Sequence, residues 1–123
     1  MLLKDKVVIV TGVGPGMGRK LAAEAAKEGA KVALAARSEA FLAEVQAEIE
    51  KDGGKAISVV TDVGETDQCE RLAERTLDAF GRIDGLVNSA YKPATFTSFE
   101  EDDIAAWAAN YNVTCRGALR MTK

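Results

Sequence analysis

The 123-residue sequence contains no histidine, two cysteines, two prolines and one tryptophan. Cys69 and Cys115 lie far apart in segments of helical pattern. They lack metal-ligand spacing, and no histidine is present to complete a zinc site, so both are expected to be reduced packing residues. Apolar runs such as Val7–Val10 and Val32–Ala36 fall far short of the roughly 20 residues that a membrane span needs. The start, Met1-Leu2-Leu3-Lys4-Asp5-Lys6, has no charged leader followed by a long apolar stretch and a small-residue cleavage site. Secretion and membrane insertion are therefore not indicated, and a cytoplasmic location is expected. The 16 basic residues are scattered among 19 acidic ones, for a net charge of -3. No basic patch marks a nucleic-acid partner.

What is present is the material of one soluble domain, 47% hydrophobic and 28% charged. No repeat, linker or low-complexity tract divides it, so a single domain over 1–123 is expected. Four apolar, β-branched runs, Lys6–Thr11, Lys31–Ala36, Lys55–Val60 and Ile83–Asn88, alternate with segments of helical period. Strands buried on both faces by helices read in this way. In the helices, Leu21, Ala22, Ala25 and Ala26 form one stripe, with Gly29 as the stop. Phe41, Leu42, Val45 and Ile49 form the next, before Gly53-Gly54. Leu72, Ala73, Leu77 and Phe80 form the third, ending at Gly81. The last helix is expected to start near Ser98, where Ser98 and Glu101 have capping-box spacing, and to run to the terminus. The order βαβαβαβα implies an α/β, Rossmann-type doubly wound parallel sheet that stops after the fourth helix.

The first strand runs into Thr11-Gly12-Val13-Gly14-Pro15-Gly16-Met17-Gly18-Arg19, and a helix starts inside that loop. Free N–H groups and the helix dipole favour an anion there, while glycines let backbone approach a pyrophosphate. A second strand arrives about 20 residues on, as a dinucleotide-binding unit requires. A Walker-type loop is excluded, because Arg19 precedes Lys20 and Leu21 replaces the metal-binding hydroxyl. After the second strand, Ala35-Ala36-Arg37-Ser38 offers a guanidinium and no acid. Arg37 suits the 2′-phosphate of NADP, where an acid would bind the ribose hydroxyls of NAD, so NADP is favoured over NAD. Ser38 has two competing roles, a hydroxyl for the phosphate and the N-cap of the next helix. Arg19 has two as well, phosphate contact and a surface helix charge.

Read as T-G-x-x-x-G-x-G, with Thr11, Gly12, Gly16 and Gly18, the loop resembles the short-chain dehydrogenase/reductase family. The resemblance continues at Thr61-Asp62-Val63, at Phe80-Gly81-Arg82-Ile83-Asp84-Gly85-Leu86-Val87-Asn88, and at Asn88-Ser89-Ala90-Tyr91 in the place of the family's Asn-Asn-Ala-Gly. It implies an NAD(P)-dependent oxidoreductase acting on a carbonyl or alcohol. It places Thr11, Gly12, Gly14, Gly16, Met17 and Gly18 at the phosphates and Arg37 and Ser38 at the 2′ end. Asp62 and Val63 then stand at the adenine, and Asn88, Ser89 and Ala90 at the inner ribose.

The resemblance also marks departures. The family's Tyr-x-x-x-Lys pair is expected beyond Lys123, since Thr95 follows Tyr91 and Cys115 follows Tyr111 at that spacing. The asparagine expected seven residues after Trp107 is Thr114, with Gly117 in its proper place. Asn112 lies two residues away, about 200° around a helix, and is a poor substitute. No catalytic role is assigned to Asn110, Asn112 or Thr114. Tyr91 replaces a glycine, either lining a substrate pocket or covering apolar surface, and Trp107 reads as packing. If the polypeptide ends at Lys123, the fourth strand is an open edge, and self-association along it or marginal stability is expected. A non-catalytic NAD(P)-binding module or scaffold is the alternative to an enzyme.

Overall fold

In the computed structural model, residues 2–14, 16–90 and 104–123 are described. Tyr91, Thr95 and the expected Ser98/Glu101 cap lie outside them. The elements are β1 (Val7–Thr11), α1 (Met17–Lys27), β2 (Lys31–Ala36), α2 (Glu39–Lys51), β3 (Lys55–Val60), α3 (Thr66–Phe80), β4 (Gly85–Asn88) and α4 (Ile104–Tyr111). A π-helical turn (Asn112–Arg116) and α5 (Gly117–Thr122) follow. The strands form one sheet of order β3-β2-β1-β4, every pairing parallel. The chain leaves β1 toward β2 on one side, while β4 lies on the other. A crevice therefore opens at the carboxyl ends of the strands where the order reverses.

Alternation along the strands builds two cores. Val8, Val10, Val32 and Leu34 point to one face, where Ala22 of α1 and Leu42, Val45 and Ile49 of α2 cover them. Ile9, Ala33, Ala35 and Val59 point to the other, against Leu72 of α3 and Met121 of α5. Leu42 and Leu72 are fully buried, each worth about 1.5–3 kcal/mol of apolar transfer.

Two of the expected stripes need correction. Leu21 is 37% exposed and Leu77 47% exposed. The inner face of α3 instead carries Cys69, Leu72 and Thr76. Thr76 can face inward because its hydroxyl donates to the Leu72 carbonyl at 2.8 Å, and Cys69 Sγ donates to the Val63 carbonyl at 3.7 Å. A buried polar atom with a local acceptor leaves no hydropathy signal. Cys69 is the packing residue expected, with burial pushing its thiol pKa up. Cys115 is exposed, and Trp107 is 44% exposed, so neither belongs to the core.

β1 begins at Val7 rather than Lys6, and β4 at Gly85 rather than Ile83. Asp84 explains the later start. Its N–H donates to the Val7 carbonyl and its Oδ2 accepts the Val7 N–H, at 2.8 and 2.9 Å, so Asp84 clamps the ladder just before β4. The last helical segment is not one regular helix, because the π turn interrupts it. Such turns are frequent at functional sites.

At the other end of β1, Gly12 has φ +66°, and a Cβ built there would meet Ala90 N and Cα at 2.4 Å and Ser89 C at 2.6 Å. The first loop and the loop after β4 thus touch backbone to backbone. Gly12→Ala is expected to lower stability in urea unfolding by about 2–5 kcal/mol, combining left-handed strain and overpacking. A loss near zero would show that the two loops separate easily.

The Asp84 clamp predicts a pH dependence. Its hydrogen bond from Arg82, then that from the Val7 N–H, hold the carboxyl below its ordinary pKa. A depressed folded-state pKa stabilises above the unfolded value and is lost as pH falls through the folded one. The stability gap between wild type and Asp84→Asn should therefore be full above about pH 4 and shrink below it. A gap that stays constant into strong acid would remove Asp84 as its source.

Candidate functional site

A cleft of about 360 Å³ lies at the carboxyl ends of the strands. The first loop supplies Gly12, Val13 and Gly14, and the end of β2 supplies Ala36, Arg37 and Ser38. Thr61, Asp62 and Val63 come from the turn after β3, Ser89 and Ala90 from the segment after β4, and Val113 from the π turn. Eight of the sequence-predicted residues thus meet around one space: Gly12, Gly14, Arg37, Ser38, Asp62, Val63, Ser89 and Ala90.

The other predicted residues stand around that lining. Thr11 is buried, and its hydroxyl donates to the Val87 carbonyl at 3.3 Å, tying β1 to β4. Gly18 is buried within α1, and an added Cβ would lie 2.5 Å from the Gly12 carbonyl oxygen. It lets the helix pack onto the loop. Gly16 and Met17 are exposed at the start of α1. Asn88 Nδ2 donates to Thr122 Oγ1 at 3.2 Å, joining the end of β4 to α5.

The glycines divide into two kinds. Gly12 and Gly18 are demanded by the protein's own packing. Among the described residues, a Cβ on Gly14 would meet only the Gly12 carbonyl oxygen, at 3.9 Å, and one on Gly16 would meet nothing within 4 Å. Among the described residues, nothing fills the space above the backbone of Gly14 and Gly16.

The charge pattern agrees with that space. Among the described residues, the N-terminus of α1 has neither a side-chain cap nor an acidic residue in its first turn. Helix α2 has Ser38 as cap and Glu39 in its first turn, and α3 has Asp67. The positive end of α1 is the one of these left without a built-in complement, which suits an external anion.

Arg37 is exposed on the cleft wall, and no ion pair engages it among the described residues. Arg19 behaves differently. It pairs with Glu48 and stacks over the Phe41 ring, 5.8 Å from its centroid. Its guanidinium therefore fastens α1 to α2. Ser38 Oγ accepts the Phe41 N–H at 3.4 Å, so the capping role is present. Asp62 Oδ1 accepts the Gly64 N–H at 2.8 Å, which turns the carboxylate-bearing segment along the cleft.

Val13, Ala36, Thr61 and Val113 line the cleft without having been expected. The first three adjoin predicted residues and could have been found by neighbourhood. Val113 has no local signal, since only tertiary packing brings the π turn across. Thr114 sits in that turn, with its hydroxyl donating to Asn110 Oδ1 at 3.5 Å. Asn112 Nδ2 donates to the Gly64 carbonyl at 3.4 Å. Among the described residues, no group of His, Cys, Asp and Glu could hold a metal ion, and no helix is long and apolar enough to cross a membrane.

The family model described as short chain dehydrogenase matches residues 6–123. An uncharacterized oxidoreductase of Staphylococcus saprophyticus is 37% identical over 118 residues, covering 95% of this chain and 50% of that protein. An 11-beta-hydroxysteroid dehydrogenase A of Sesamum indicum is 38% identical over 120 residues, covering 96% of this chain and 34% of that protein. The chain spans half the length or less of these relatives. The crystal structure of a short chain dehydrogenase from Mycobacterium smegmatis superposes with a TM-score of 0.93 at 35% identity, over 98% of this chain and 51% of the other. By sequence and by fold, this chain belongs to the short-chain dehydrogenase family.

Proposed function

We propose that this chain forms the dinucleotide-binding part of an NAD(P)-dependent oxidoreductase, with NADP preferred, that acts on a carbonyl or alcohol substrate. The observation that carries the reading is the space that the described residues leave over Gly14 and Gly16, beside a helix N-terminus to which they offer no side-chain cap or first-turn acid. A pyrophosphate fits that combination of donors, dipole and missing side chains. The nicotinamide of the dinucleotide supplies or accepts the hydride when bound.

The residues of this chain bind and orient. Gly12, Gly14, Gly16, Met17 and Gly18 bring backbone to the phosphates, with Thr11 fixing the loop to β4. Arg37 meets the 2′-phosphate with a planar fork that suits phosphate oxygens, and Ser38 adds its hydroxyl. Asp62 and Val63 form the adenine wall. Asn88, Ser89 and Ala90 stand at the inner ribose, Asn88 through the strand end that it ties to α5. A relative at 42% identity over 94 residues, covering 73% of this chain and 37% of that protein, is an L-rhamnose 1-dehydrogenase (NAD(P)(+)) of Azotobacter vinelandii. The NAD(P)(+) in that relative's name supports nicotinamide dinucleotide use here.

Arg37→Asp should weaken NADPH binding by about ten- to a hundredfold, the worth of one charge-assisted contact, and NADH binding far less. Fluorescence titration of both cofactors decides, and an equal loss for the two would sink the NADP preference. Gly14→Ala tests the phosphate loop. It should leave stability unchanged or raise it by about 0.5 kcal/mol while weakening NADPH and NADH alike. Unchanged affinity for both would mean that the space over Gly14 is not where the phosphates lie.

A further inference from the structure

Asp62 and Val63 reach the cleft on a turn that is held from behind. Arg120 Nη1 donates to the Val63 carbonyl at 3.2 Å, and Cys69 Sγ donates to the same oxygen at 3.7 Å. Asn112 Nδ2 donates to the next carbonyl, that of Gly64, at 3.4 Å. Arg120 also fixes Asn112, with Nη1 donating to its backbone oxygen at 3.1 Å and Nη2 to its Oδ1 at 2.6 Å. Gly117 lets the helix come this close, since a Cβ there would meet Val63 Cγ2 at 2.7 Å.

The Val63 carbonyl and the Gly64 N–H belong to one peptide unit, and that unit is planar. Its oxygen is gripped by Arg120 and its N–H is donated to Asp62 Oδ1 at 2.8 Å. Whatever sets the direction of the carbonyl therefore sets the direction of the N–H, and with it the carboxylate that lines the cleft. A guanidinium is suited to this task, because its rigid fork satisfies Val63 and Asn112 together.

We propose that Arg120, braced by Asn112, is a positioning residue that aims the Asp62 carboxylate at the exocyclic amine of a purine in the cleft. The proposal rests on the dinucleotide reading above. A carboxylate accepts from an amine and repels a carbonyl oxygen, so an aimed Asp62 separates adenine from hypoxanthine. A loosely held one does not.

The test is a titration of the full chain with NADPH and with its hypoxanthine analogue, in wild type, Arg120→Met, Arg120→Lys and Asn112→Ala. Wild type should prefer the adenine form by about tenfold, the worth of one hydrogen bond to a charged group. In Arg120→Met the ratio should fall to within about threefold of unity, and Arg120→Lys should restore part of it by keeping a donor to Val63. A ratio that survives Arg120→Met, with both ligands weakened equally, would reduce Arg120 to support of the fold and overturn the proposal. So would a wild-type ratio of unity. Binding of neither ligand by wild type would instead defeat the dinucleotide reading. If Arg120→Met does not fold, the ratio in Asn112→Ala decides in the same way, and failure of both variants to fold overturns positioning in favour of a purely structural role.

Discussion

Gly12 and Ala90 touch through their backbones, and the rest of the site depends on that contact. A Cβ at Gly12 would overlap Ala90 at 2.4 Å, so the loop after β1 and the loop after β4 form one continuous floor. Parallel pairing of β1 with β4, from Val8 with Gly85 to Thr11 with Asn88, delivers both loops to the same end of the sheet. The hydrogen bond from Thr11 to the Val87 carbonyl keeps the two strand ends from sliding. From that floor the walls at the ends of β2 and β3 follow by topology, since β2 ends beside β1 and β3 beside β2 in register.

The same ladder explains why the two faces tolerate different helix surfaces. One face meets α1 and α2 with Ala22, Leu42, Val45 and Ile49 as its buried residues and Phe41 partly buried beside them. The other meets α3 through Cys69, Leu72 and Thr76, two of which hold local hydrogen bonds. That polar lining is not a flaw in the core, because each buried donor has an acceptor within reach. It also ties α3 to the Val63 turn, so the helix that covers the sheet also steadies a wall of the cleft.

How much could be read in advance depended on the range of the interaction. Strand runs, glycine stops and the phosphate loop are local patterns, and β2 and β3 have the expected bounds. Arg37, Ser38, Asp62 and Ser89 lie at the ends of predicted strands, so their convergence followed from the fold class. Leu77 misled because hydropathy counts methylenes and does not see Thr76 returning its proton to its own helix. Val113 in the cleft and the grip of Arg120 and Asn112 on the Val63 turn were illegible, because both depend on the last helical segment lying against that turn. Residues 112 and 63 are remote in sequence, and no spacing rule joins them.

Ser38 shows how two readings of one residue can be compatible. Its oxygen accepts the Phe41 N–H at 3.4 Å, a long cap, and the same side chain lines the cleft beside Arg37. A hydroxyl has one donor and two acceptor lone pairs. Capping occupies a lone pair and leaves the proton available to an acceptor in the cleft. Arg37, the residue before Ser38, carries donors only. The pair therefore presents a concentration of donors and no carboxylate at the end of β2, which is the chemistry that a phosphate requires and a bare ribose diol does not.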